Sequence, residues 1–167
     1  YPSWPPPLHR GIVPAGEDLR TSESVEQVLG AFLRRAWRRP VSEEELNQWT
    51  AHFTKIQKQG GSDVLSLKET LAAALASSNF IYLSEPHLAK VSRKLSPHEL
   101  ASRLSYFLWS SLPDEELSGL ADSGRLLKSS VLKKQFARMI ADEKADRFAE
   151  QFSRQWLDLE GVDRVAI

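Results

Sequence analysis

The chain has 167 residues, 41% hydrophobic and 26% charged, enough to bury a core without disulfide or metal staples. Its 22 basic and 22 acidic residues cancel, which leaves no global field to steer a polyanion and argues against a dedicated nucleic-acid binder. The absence of cysteine removes disulfides, thiol catalysis, thiolate metal sites and covalent c-type haem attachment from this chain.

Five of the nine prolines fall in the first 14 residues, YPSWPPPLHRGIVP, where fixed φ angles and missing amide donors favour an extended arm or linker over residues 1–21. That stretch lacks a signal-peptide core, and no apolar run anywhere reaches the ~18–20 residues that span a bilayer. A first residue of Tyr1 rather than Met suggests a processed or excised piece of a longer protein.

From Ser22 the apolar residues Val25, Val28, Leu29, Phe32, Leu33, Ala36 and Trp37 follow a helical period, and the spacing predicts a helix to about Arg39, stopped by Pro40. Ser42 and Glu45 form an S-x-x-E capping box that starts a second helix through Leu46, Trp49, Phe53 and Ile56. Gly60-Gly61 ends it. Ser62 or Asp63 then caps a third, with Val64, Leu67, Leu71, Ala74 and Leu75 on its apolar side, running out near Ser78.

The second half repeats this grammar. Ser96-Pro97-His98-Glu99 is the clearest helix start in the chain, and Leu100, Ala101, Leu104, Phe107 and Leu108 make its apolar face. After the SSLPDEEL turn come a short helix with Leu117, Leu120 and Ala121, one through Val131, Leu132, Phe136, Met139 and Ile140, and one through Ala145, Phe148, Phe152, Trp156 and Leu159. No segment alternates at strand length. The expectation is an all-α fold of about seven helices in a compact bundle: a three-helix module at 22–86 and a module of about four helices at 95–167, packed as one compact unit.

The stretch RAWRRPVSEEEL gathers Arg34, Arg35, Arg38 and Arg39 before Pro40 and three glutamates after it. On a helical wheel the arginines lie away from the apolar face, at the helix end whose dipole favours cations, with Glu43, Glu44 and Glu45 at the end that favours anions. A structural joint is therefore favoured over a partner-binding patch, and a phosphate ligand would compete with the acidic run. Trp37 and Trp49 flank the turn and are expected to pack across it. In the second half, Arg103, Tyr106 and Trp109 make a further candidate binding surface, with Trp109 singled out for exposure or for contact with Arg103 or Arg138.

No catalytic constellation emerges. His9, His52, His87 and His98 form no H-E-x-x-H or H-x-x-x-H pair, so no metal site is expected; no serine sits in a G-x-S-x-G elbow; and Gly60-Gly61 lacks the spacing of a phosphate loop. Asp114, Glu115 and Glu116 are what a helix dipole selects in a first turn.

The strings FLRRAWRRPVSEEELNQW, LAAALASSNFIYLSEP, LSPHELASRLSYFLWSSLPDEEL and FAEQFSRQWLDL, in that order over about Val28 to Leu159, resemble the helical domains of unknown function of large planctomycete-type proteins. The resemblance implies an exported, extracytoplasmic protein of which this is an internal fragment, with other domains of the same chain as partners and cytochrome-like neighbours carrying any haem. It supplies no catalytic residues. Three readings follow: a helical interaction or structural module, part of an enzymatic or redox assembly completed by a neighbouring cytochrome-like domain, and binding of a glycan or polyanion through Trp4, Trp109 or Arg34 to Arg39.

Overall fold

A computed structural model describes residues 12, 19, 21–82 and 94–157. The proline-rich arm, Trp4, His9, His87 and Leu159 lie outside the described residues, apart from Ile12, Leu19 and Thr21 of the arm. The chain divides into two compact units, Tyr1–His87 and Leu88–Ile167, each with its own buried core. Among the described residues there are eight α-helices and no strands, and no helix is long and apolar enough to cross a membrane.

The first unit contains α1 (Ser22–Trp37), α2 (Glu43–Lys58), α3 (Asp63–Leu75) and the single turn α4 (Ser78–Ile81). Thr21, Ser42 and Ser62 each accept a backbone N–H from the following first turn, and Ser42 with Glu45 completes the reciprocal capping box. The core joins Val25, Val28, Leu29, Leu33, Ala36 and Trp37 of α1 to Phe53 of α2 and to Leu67, Leu71 and Ala74 of α3, with Leu19 against them. Trp37 meets Trp49 edge-on across the Pro40 turn, ring centroids 5.8 Å apart, as the spacing predicts. On α3 the buried strip also takes in Ser66 and Thr70, whereas Val64 and Leu75 are exposed. Small polar side chains let α3 approach closely, and Thr70 satisfies its hydroxyl by donating to the Ser66 carbonyl.

The second unit contains α5 (Pro97–Trp109), α6 (Glu115–Asp122), α7 (Ser129–Ile140) and α8 (Asp146–Trp156), with 3₁₀ turns at Arg125–Leu127 and Glu143–Ala145. Ser96 and Glu99 form the second capping box, with Pro97 in the first turn. Its core comprises Ala101, Leu108, Trp109, Leu117, Ala121, Leu126 and Met139. Of the expected apolar series of α7, Met139 is buried, whereas Phe136 and Ile140 are exposed and the polar Gln135 is buried. Gln135 is held inside by its amide, which donates to Glu116 and accepts from Arg138, so the buried edge of α7 runs through Gln135 and Met139 and leaves Phe136 and Ile140 outside.

Both units turn their first corner alike. Each first helix ends on a buried tryptophan, Trp37 or Trp109, followed by a non-glycine residue in left-handed conformation, Arg38 at φ 60° or Ser110 at φ 49°. The next helix is capped five positions after the tryptophan, by Ser42 or Asp114, and an arginine lies over each indole, Arg39 at 5.2 Å and Arg138 at 5.4 Å.

Candidate interaction surface

The arginine cluster splits by role. Arg34 and Arg35 are exposed on α1. Arg38 donates to the carbonyls of Asn79, Phe80 and Tyr82 at 3.2–3.4 Å, satisfying the C-terminal end of α4. Arg39 grips Glu45 through two hydrogen bonds of 2.9 and 2.7 Å while its guanidinium covers Trp37. The Arg39 hydrogen bond is the main cause holding the Glu45 carboxyl down at about 2, against an opposing push from burial. Arg39 is thus committed to the joint beside the acidic run, whereas Arg38 is committed to the end of α4.

The other three candidates belong to the second unit. Arg103 and Tyr106 are exposed on α5, but Trp109 is fully buried, which removes it from any binding surface. Its indole N–H donates to the Met139 carbonyl at 2.9 Å, and Arg138 and Lys144 lie over its ring, Lys144 at 4.6 Å. The expected contact with Arg138 is present, yet its setting is structural. Arg138 bonds both carboxylate oxygens of Asp114, at 2.7 and 3.2 Å, and Asp114 caps α6 through Leu117 N–H. Burial pushes Asp114 up, but the Arg138 and Leu117 hydrogen bonds together hold it below the usual carboxylate range. Arg147 completes the collar by donating to the Trp109 carbonyl.

A feature that the residue-by-residue reading missed lies beside this hub. Phe107, expected on the buried face of α5, is 58% exposed and packs against Phe148 of α8, centroids 4.8 Å apart. From there the aromatic contacts run along α8, Phe148 to Phe152 at 5.4 Å and Phe152 to Trp156 at 6.0 Å, with interplanar angles of 28° and 17°. The i, i+4, i+8 spacing places the three rings on one side of the helix. Phe152 is 50% and Trp156 73% exposed, and α8 has no fully buried residue. The signal was present in FAEQFSRQW, whose period was legible; what the period could not tell was whether any neighbour covers the stripe. Gln151, which accepts a hydrogen bond from Ser110, and Gln155 border it on one side, while Glu150 and Arg154 pair with each other at 3.6 Å on the opposite side of the helix.

The two histidines among the described residues have ordinary structural settings. His98 Nε2 is 2.9 Å from an Asp122 carboxylate oxygen, and His52 stands edge-on to Trp49. Neither adjoins the aromatic stripe in sequence or in contact.

Comparison with known proteins agrees with the division of the chain. Residues 24–85 match the family described as PSD5, protein of unknown function (DUF1595), and residues 95–167 match the family described as PSD4, protein of unknown function (DUF1592). No curated protein and no solved structure matches the chain. The chain therefore carries two successive domains of unknown function, a PSD5-type helical domain followed by a PSD4-type helical domain.

Proposed function

We propose that the chain is a helical interaction module of a larger exported protein, and that it docks through the aromatic face of α8 and Phe107. The supporting observation is the exposure of Phe152 and Trp156 on α8, a helix with no fully buried residue, continued through Phe148 to the exposed Phe107 of α5. Single exposed apolar residues are ordinary on a protein surface, whereas a connected aromatic patch is where protein surfaces bind. On α8 the stripe is bordered on one side by the amides of Gln151 and Gln155, and its rings stack near-parallel along the helix. That arrangement favours apolar protein side chains over a polyanion, or over a sugar ring that needs a free aromatic face.

The test is the double substitution Phe152→Ser and Trp156→Ser. Because both side chains are at least half exposed, the helical circular-dichroism spectrum and unfolding free energy should change by less than ~1 kcal/mol, while fluorescence of an added apolar dye such as anilinonaphthalene sulfonate falls. Loss of helical structure in the double variant would mean that the stripe is core, and would sink the proposal.

A further inference from the structure

We infer that the occupant of the α8 face is a second copy of this chain, paired helix to helix about a two-fold axis; the inference rests on the docking role just proposed. Area is the first argument. With ~150–250 Å² carried by each aromatic side chain, the exposed parts of Phe107, Phe152 and Trp156 present about 400 Å² per copy, or about 800 Å² for a pair. The amides of Gln151 and Gln155 extend a pair toward the ~1,000 Å² that a specific contact requires, below the ~1,600 Å² of a standard stable one. The geometry points to a reversible dimer.

Charge is the second argument. A two-fold interface brings a patch against itself, so any net charge on the patch repels its own copy. Here the stripe carries no charge, Glu150 and Arg154 neutralise each other on the far side of α8, and the whole chain has formal net charge zero. Two copies therefore approach without long-range or local repulsion. Ring geometry agrees. The ring centroids step 5.4 and 6.0 Å along α8 and form a ridge, and an antiparallel copy can pack its own ridge alongside as ridges into grooves. A membrane surface, the other apolar destination for an amphipathic helix, selects basic residues beside the stripe, where α8 has glutamines.

Sedimentation velocity on the chain tests this, over a series from about 5 to about 500 μM. The expected result is a monomer–dimer equilibrium with Kd on the order of 10–100 μM, weakened at least about tenfold by Phe152→Ser with Trp156→Ser. A second variant, Ala149→Arg, retains every aromatic residue and places like charges across the two-fold axis; it should weaken the dimer similarly. A chain that stays monomeric to the top of the series, or a dimer indifferent to both variants, overturns the inference. In the monomeric case, dye fluorescence that still falls in the double serine variant leaves the docking face standing with a different protein segment as partner; unchanged dye fluorescence sinks the face and its occupant together.

Discussion

Two tryptophans anchor the two units, and they are not equivalent. Trp109 has its N–H bonded to Met139, its ring covered by two cations and its carbonyl held by Arg147, whereas the Trp37 N–H has no partner among the described residues. Replacing Trp109 by alanine leaves a cavity and an orphaned Met139 carbonyl, and should cost about 4 kcal/mol in urea unfolding followed by circular dichroism. The carboxylate Glu45 gives a second prediction, on pH. Its pKa falls from an ordinary 4.5 to about 2 on folding, so its contribution is complete above about 4.5 and disappears as the pH falls through about 2. The pair with Arg39 is partly solvated, which limits the effect to about 0.5 kcal/mol. Glu45→Gln keeps the reciprocal cap and loses the charge, so stability measured between pH 4.5 and pH 2 should fall less steeply than in the parent chain.

Helix starts were the most legible elements because a cap is a local device: one side-chain oxygen and one backbone N–H three residues on. Ser42 and Ser96 both form the capping boxes their S-x-x-E spacing predicts. Ser96→Ala should cost about 1 kcal/mol, read from the urea midpoint, with Ser96→Thr recovering most of it. Helix faces were less legible. The α7 apolar period selects Phe136, Met139 and Ile140, but of these three only Met139 is inside and Gln135 is buried as well, since a glutamine bonded at both ends of its amide is a competent core residue and hydropathy does not register its partners. The same limit applies to Phe107, whose place on the α5 wheel was clear and whose neighbour, Phe148, lies 41 positions away.

For the whole molecule, the consequence of two separate cores is that each unit should fold without the other. Residues 1–87 and 88–167, expressed singly, are expected to give helical spectra and cooperative urea transitions. A fragment that shows neither would mean that its unit draws its stability from the rest of the chain. The amino-acid sequence by itself determined the helical class, the corners at Pro40 and Pro113 and the caps, because these depend on residues within a turn or two of each other. It also determined that the arginines near Pro40 lie at a helix end beside glutamates. Only the tertiary structure decided that Arg38 is committed to the carbonyls of α4, that Trp109 is core and that, among the described residues, Phe152 and Trp156 of α8 stay exposed. Those outcomes depend on carbonyls, carboxylates and rings contributed from distant positions, and a one-dimensional period carries no information about which of its faces finds a partner.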